Sequence, residues 1–194
     1  MAEIKNQYRE ISRENQEYKA INAQLTLKVS SLETKVRDLK QYSRRDNIEI
    51  SGLPKTAGED ERSILRDVGR AIGLEVNENT VVAVHRVPTY SRTRAPPIVA
   101  RFTTRDQRDA WIQAFKKKKT VMACDINDRF SATRIYIGEH LTPDNKQLLR
   151  KLKDACKELN IKYVWCREGK LYVRRTEGAT SERVNSVEDQ RKIK

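Results

Sequence analysis

Residues 4–39 read IKNQYREISRENQEYKAINAQLTLKVSSLETKVRDL, and the spacing of their apolar side chains decides the first element of the fold. Ile4, Ile11, Tyr18, Leu25, Leu32 and Leu39 stand seven apart without a break, and Tyr8, Asn15, Asn22, Val29 and Val36 follow the first five of them by four. This repeat predicts a parallel coiled coil, and therefore an oligomer. In this register the last heptads carry Leu at d and Val at a, the pairing that favours two strands. Asn15 and Asn22 fall at a, where a buried amide lowers stability but fixes register and orientation, because it is satisfied on meeting its own copy. Across the seam Glu14 reaches Lys19 and Lys28 reaches Glu33, whereas Lys35 faces Lys40, which is weak support for homotypic pairing. A helix folded back on its own domain needs a broader stripe than strict a/d. At 1.5 Å per residue the segment makes a rod of roughly 60 Å.

Of the 194 residues, the rod leaves about 130 for globular structure, enough for one medium domain or two small ones. A chain that is 37% hydrophobic and 35% charged lies at the polar end of globular proteins rather than among disordered ones. It has no apolar run long enough to span a membrane and no signal-peptide core, so an intracellular protein of the cytoplasm or nucleus is expected. The net charge is +13, and residues 95–175, with 19 basic and 9 acidic side chains, hold most of the excess. A regional surplus of this kind favours phosphate-bearing partners, since each cation that replaces a condensed counterion gains its release entropy. Cys124, Cys156 and Cys166, with His85 and His140, fit no zinc spacing and no disulfide framework, and the thiols are expected to be reduced, half-buried core residues.

After the heptads, Asn47-Ile48-Glu49-Ile50-Ser51-Gly52 alternates as a strand does. From Glu59 the spacing of Ile64, Leu65, Val68, Ala71 and Ile72 describes an amphipathic helix ending near Gly73. Val81 to Val87 and Ile98 to Thr103 read as strands, joined by a loop that carries Tyr90, Arg92 and Arg94. A second helix runs from about Thr104 with Trp111 and Phe115 four apart, and a fourth strand is expected at Thr120 to Asp125. The order βαββαβ is the ferredoxin-like arrangement used by RNA-recognition modules. The third strand, Ile98-Val99-Ala100-Arg101-Phe102, lacks the glycine-aromatic consensus of such modules, so this sheet is expected to offer charge and shape rather than base stacking. Lys116, Lys117, Lys118 and Lys119 stand either as phosphate contacts, as a favourable cation cluster at a helix C-terminus, or as a nuclear-import patch of low specificity.

A second unit is expected from Arg134, with a strand at Arg134 to Gly138 and a helix opened by Thr142-Pro143-Asp144, a hydroxyl cap followed by proline and an acid. Leu148, Leu149, Leu152, Ala155 and Leu159 form its apolar stripe; Lys146, Arg150, Lys153 and Lys157 form a basic face. Then Tyr163 to Arg167 and Lys170 to Arg174, joined by Glu168-Gly169, describe a two-residue hairpin. Its register places Val164, Cys166, Leu171 and Val173 on one face and Tyr163, Trp165, Arg167, Lys170, Tyr172 and Arg174 on the other. If Ile135 and Ile137 join the apolar core, Tyr136 and Arg134 join the aromatic and cationic face. Rings beside cations suit single-stranded nucleic acid, because bases stack on the rings while phosphates meet the charges, at about 1–3 kcal/mol per stacked base. The competing reading packs the leucine-striped helix on this face and buries Trp165, but an Arg- and Lys-rich face is costly to bury.

The chain contains no glycine-rich phosphate loop, nucleophile elbow or metal-ligating cluster motif, and its 7 glycines leave little material for one. A non-enzymatic protein without cofactor or metal is expected, the weak rival being a cysteine nucleophile on Cys124 or Cys166 with His85 or His140.

Two stretches resemble known families. Ser43-Arg44-Arg45-Asp46-Asn47-Ile48-Glu49-Ile50-Ser51-Gly52-Leu53-Pro54, directly after a coiled coil, resembles the junction in first-open-reading-frame proteins of LINE-type retrotransposons. Ile135-Tyr136-Ile137-Gly138-Glu139-His140-Leu141-Thr142-Pro143, together with Lys162-Tyr163-Val164-Trp165-Cys166-Arg167-Glu168-Gly169-Lys170-Leu171-Tyr172-Val173-Arg174-Arg175, resembles the C-terminal domain of baculovirus FP ("few polyhedra") proteins and their insect homologues. The likeness covers about residues 30–176, and the second motif is the more specific. The retrotransposon resemblance implies an oligomeric RNA-binding protein that coats its transcript and acts as a nucleic-acid chaperone, with Arg134, Arg167, Arg174 and Arg175 near the RNA path. Members of that family form trimers, from which the two a-position Asn residues depart, so homodimer and homotrimer both stand. The FP resemblance implies a virus or virus-derived protein that promotes virion occlusion and envelope-protein traffic, with viral or transposon proteins as partners. Some insect relatives carry an N-terminal zinc-finger segment with no counterpart here, which reads as a shortened copy.

The expected molecule is therefore an α+β protein. It has a parallel coiled coil at 1–43, an RRM-like α/β domain at 46–126, an FP-type C-terminal domain at 134–175 and a disordered tail at 176–194. It pairs with itself and binds single-stranded RNA or DNA.

Overall fold

The computed structural model describes residues 1–89, 93–185 and 189. The protein is mixed α+β, with a long N-terminal helix and two antiparallel sheets, and it divides into two compact units, 1–40 and 41–194. In the first unit, helix α1 (Ala2–Tyr42) leaves the heptad stripe uncovered, with Ile11 56%, Leu25 53% and Val36 47% exposed. Asn15 turns its amide back to the carbonyl of Ile11 at 2.9 Å, the partner open to it within one helix.

The second unit opens on strand β1 (Asn47–Ser51), whose alternation sends Ile48 and Ile50 inward with no exposure. Helix α2 (Glu61–Ile72) starts at Asp60, whose carboxylate accepts the N–H of Arg62, and stops at Gly73, which takes the left-handed conformation at φ 80°. Strands β2 (Val81–Arg86) and β3 (Ile98–Phe102) follow, then helix α3 (Arg105–Lys118), begun by a capping box of Thr104 and Gln107. The sheet closes with β4 (Tyr136–Glu139) and has the order β2-β3-β1-β4. Both helices lie on its inner face: Leu65, Val68 and Ile72 of α2 and Trp111 and Ile112 of α3 pack with Ile48, Ile50, Ile98, Ala100, Phe102, Ile135 and Ile137.

The fourth strand was expected at Thr120 to Asp125, and the structure moves it. Ala123–Asp125 form a short 3-10 turn, with one bridge from Met122 to Arg134, and the edge place beside β1 goes to Tyr136–Glu139. The reason is backbone approach as well as pattern. Gly52 ends β1 at φ 97°, and a side chain there would meet the carbonyl oxygen of Arg134 at 2.4 Å, so only glycine lets the 134–139 segment lie alongside. Hence the strand predicted to open the C-terminal domain completes the first sheet.

A buried ion pair holds the loops at one end of this sheet. Arg86 meets Glu59 in a bidentate pair through Nε and Nη2, at 2.5 and 2.8 Å, and also donates to the carbonyls of Leu53, Pro54 and Pro96. Burial alone would raise the Glu59 pKa; the hydrogen bonds and charge of Arg86 outweigh it and hold the carboxyl below its usual range. With every donor satisfied, the pair joins the β1–α2 connection to β2 and to the approach to β3.

After β4, helix α4 (Pro143–Glu158) is capped by Thr142, whose hydroxyl accepts from the N–H of Asn145. Strands β5 (Tyr163–Arg167), β6 (Lys170–Arg174) and β7 (Glu182–Val184) make a second sheet in that order. Leu141, Leu148, Leu152 and Cys156 pack on Leu171, Val173 and Val184 as a second core. Within the stretch 176–194 expected as a disordered tail, Glu182–Val184 instead form β7, which pairs with β6, and Val184 is 3% exposed. A single apolar side chain fixes that strand, too short a signal for periodicity to reveal.

Candidate functional site

The hairpin forms in the expected register, with Trp165 opposite Tyr172, Cys166 opposite Leu171, Val164 opposite Val173 and Arg167 opposite Lys170. Glu168 and Gly169 both have positive φ, 54° and 73°, the conformation of a type I′ turn, whose twist matches the strands it joins. Helix α4 packs on the Val164, Cys166, Leu171 and Val173 face. The opposite face is thus clear of it, and Trp165 is half-buried rather than enclosed. There the Trp165 and Tyr172 rings stack at 5.7 Å between centroids and 17° between planes, and the Arg174 guanidinium sits 4.3 Å over the Tyr163 ring. Trp165, Arg167, Glu168, Tyr172 and Ser181 line a shallow depression on this side.

Not all the residues expected to converge here do so. Arg134 and Tyr136 lie with the first sheet, because Ile135 and Ile137 belong to its core and not to that of the hairpin. Arg134 stacks over Tyr136 at 5.4 Å and donates to the carbonyl of Lys119 at 3.2 Å. The structure so gathers Lys119, the last of the lysine run Lys116 to Lys119, with Arg134 and the exposed Tyr136 at the β4 edge, as a second cationic and aromatic cluster. Lys146 leaves the basic face of α4 to pair with Glu49 of β1 at 2.5 Å, while Arg150, Lys153 and Lys157 are exposed. Lys170, Arg167 and Arg175 are exposed and Arg94 lies in the exposed loop; Arg92 and Tyr90 fall outside the described residues. On β1 and β3 the outer face of the first sheet carries Asn47, Glu49, Val99 and Arg101, with no ring among them; Val99 is buried, and of the four Arg101 is the exposed one.

Sequence reasoning missed the polar joint between the two sheets. Gln41, one residue from the end of α1 and 7% exposed, donates to the carbonyl of His140 at 3.1 Å and accepts from Thr142 N–H and Asn145 Nδ2, both at 3.0 Å. Asn145 also donates to the carbonyl of Gly169 at 3.3 Å. Glu139 accepts the N–H of Glu168 at 2.9 Å and of Gly169 at 2.5 Å, and faces buried Arg108 at 3.6 Å. The turn of the hairpin is held from both sides by groups more than a dozen residues distant. The heptad pattern gave no signal for this joint: in the register with Leu39 at d, Gln41 falls at an outward f position where polar residues are ordinary, and the apolar repeat lapses at Ser43.

His140 sits in the same joint. Arg44 Nη1 lies 2.8 Å from its Nε2, and since a guanidinium only donates, Nε2 is the acceptor and Nδ1 carries the ring proton. Nδ1 lies 3.2 Å from the Asn47 amide, whose buried Oδ1 has no other partner, so the amide orientation that satisfies both groups has Nδ1–H donating to Oδ1. Burial first, then Arg44 and Lys146, push the His140 pKa down to about 4, so the ring is neutral at physiological pH. The Cys166 thiol, 3.4 Å from Glu139, is pushed up to about 12 by burial and by that carboxylate, which removes its nucleophilic form. Cys156 is raised by burial as well, and all three cysteines are free. Among the described residues no group of three or more His, Cys, Asp or Glu side chains is placed to hold a metal ion, and no helix is long and apolar enough to cross a membrane.

An α+β protein whose C-terminal part is a helix, a basic and aromatic hairpin and a third short strand is what the geometry defines. Residues 142–194, the stretch that holds α4, β5, β6 and β7, match the family model of baculovirus FP protein domain 2. The match starts at the cap of α4 and does not extend to the 135–141 part of the resembling sequence. No curated protein matches the chain significantly.

Proposed function

We propose that this chain is an oligomeric, non-enzymatic, intracellular protein that binds single-stranded RNA or DNA with little sequence preference, in a packaging or chaperone role of retrotransposon type. The observation that carries this reading is the hairpin face, where stacked Trp165 and Tyr172 and the Tyr163–Arg174 pair stand clear of α4 among Arg167 and Lys170. Bases stack on such rings without sequence readout, and the cations meet phosphates. The strand order β2-β3-β1-β4 with both helices on one face supports a ferredoxin-like, RRM-like reading of the first sheet. The uncovered heptad stripe of α1 supports a parallel coiled coil, which sets several hairpin faces on one particle and raises avidity without new contacts.

The test is binding of the purified chain to a labelled single-stranded oligonucleotide across a salt series, with its mass in solution determined on the same sample. Micromolar or tighter binding by an oligomer, weakening steeply with salt, is expected. No binding at low salt removes the reading.

The match to baculovirus FP protein domain 2 favours a second reading, an assembly factor for virion occlusion and envelope-protein traffic. In that case the basic hairpin face binds protein or anionic surfaces, and oligonucleotide affinity is unaffected when the rings are removed.

A further inference from the structure

Strand β5 is an edge strand, since the second sheet has the order β5-β6-β7. The two-residue turn makes Arg167 and Lys170 a hydrogen-bonded pair, and the alternation of an antiparallel ladder makes Trp165–Tyr172 and Tyr163–Arg174 hydrogen-bonded pairs too. The N–H and C=O groups of Val164 and Cys166 therefore point away from β6, to the open side. Beside that edge lies a groove between α4 and β5, lined by Lys153, Lys157, Asn160, Ile161, Lys162 and Val164. Ile161 and Val164 give it an apolar floor and belong to the margin of the second core. The three lysines are exposed, and none enters an ion pair among the described residues.

We infer that the β5 edge, with the Lys153, Lys157 and Lys162 groove, is a docking site for an acidic extended peptide segment of a partner protein, which adds as a fourth strand. Three features converge on that occupant. The outward backbone groups of Val164 and Cys166 supply the ladder that binds an extended main chain. The lysines on the α4 flank supply charge complementary to Asp or Glu, and the floor of Ile161 and Val164 seats an apolar side chain two positions from the acid, on the same face of the added strand. A nucleic-acid strand uses the charges alone, leaving the backbone edge and the apolar floor unmatched. Lysines at an edge also discourage pairing with a second copy of the same basic strand, which leaves an acidic strand as the complementary one. This surface lies on the opposite side of β5 from the Trp165 and Tyr172 rings, and the inference does not rest on the nucleic-acid reading.

The test uses the full chain and a labelled Glu–Val peptide of about eight residues, the length of an ordinary strand, in which Glu and Val take turns at every second position with Thr between them, so that both face the groove; binding is read by fluorescence anisotropy. Three comparison probes are a Lys–Val counterpart, the same Glu–Val peptide N-methylated at alternate residues in each of the two phases, and a single-stranded oligonucleotide. The inference expects the Glu–Val peptide to bind and the Lys–Val peptide not to. One phase of N-methylation should weaken binding at least tenfold while the other changes it little, and K153E/K157E/K162E should abolish it with the circular dichroism unchanged. Val164→Pro, which removes an outward N–H, should weaken it similarly. Equal binding of both N-methylated phases overturns the inference, because charge alone would then hold the peptide. Failure of the Glu–Val peptide to bind, or loss of oligonucleotide rather than peptide affinity in the triple variant, overturns it equally.

Discussion

The Glu139 carboxylate at the end of β4 accepts the backbone N–H of Gly169 at 2.5 Å, so an acid of the first sheet caps the turn of the second. The same carboxylate takes the N–H of Glu168 and faces the guanidinium of Arg108, which is 2% exposed. Removing it leaves two turn donors without their acceptor and the buried Arg108 with Asp109, 3.1 Å away, as its remaining acid. Glu139→Ala should destabilise the 41–194 unit by about 2–4 kcal/mol, and Glu139→Gln by less, measured by urea denaturation.

The turn itself makes an opposite pair of predictions. Glu168 holds φ 54° without being glycine, a conformation that favours Gly or Asn. Glu168→Gly should stabilise by about 0.5–1 kcal/mol, reduced by loss of its exposed ion pair with Arg45. Gly169→Ala should cost about 1–3 kcal/mol, because φ is 73° and the added Cβ meets Gln41 Cγ at 2.4 Å. Thermal melting of the two variants beside the parent checks both signs.

His140 predicts acid sensitivity. Its pKa falls from 6.5 in the unfolded chain to about 4 in the folded one. Between those values the unfolded chain binds a proton that the folded chain refuses, so stability is fully present above about pH 6.5 and declines as pH falls toward 4. The decline attributable to this ring is about 3 kcal/mol. His140→Gln should flatten that part of the stability profile, and a slope unchanged in the variant counts against the assignment.

If Trp165 and Tyr172 are the stacking platform, Trp165→Ala and Tyr172→Ala should each weaken single-strand affinity by about 1–3 kcal/mol. The fold should persist, because the second core lies on the other hairpin face. Far-ultraviolet circular dichroism of each variant, run beside the binding titration, separates lost stacking from lost structure.

If α1 pairs with its own copy as proposed, Asn15→Val with Asn22→Val should raise the melting temperature of the helix while loosening its choice of oligomer number. Sedimentation equilibrium reads the outcome: a single species for the parent and a mixture for the variant.

Much of the architecture was legible locally. The heptads gave the long helix, strand alternation gave β1 and the hairpin register, and Thr142-Pro143 gave the start of α4, because each depends on neighbours within a few residues. The fourth strand was misplaced because Val121 and Ala123 are buried apolar residues near a strand-like stretch, whereas the place beside β1 is awarded by the close backbone approach at Gly52. For the same reason Tyr136 and Arg134, expected beside the hairpin rings on the condition that Ile135 and Ile137 join that core, lie with the first sheet.

By itself, then, the sequence determined the helices, the strands β1, β2, β3, β5 and β6, and which hairpin face carries the rings and cations, since periodicity and turn chemistry are local quantities. Only the tertiary structure decided which sheet receives Tyr136–Glu139, that Glu182–Val184 pair as a third strand, and that Gln41, Glu139, His140, Asn145 and Gly169 meet in one buried joint. Those outcomes depend on contacts between residues distant in the chain, where a single glycine, a single valine or one buried amide selects among partners that local pattern leaves equivalent.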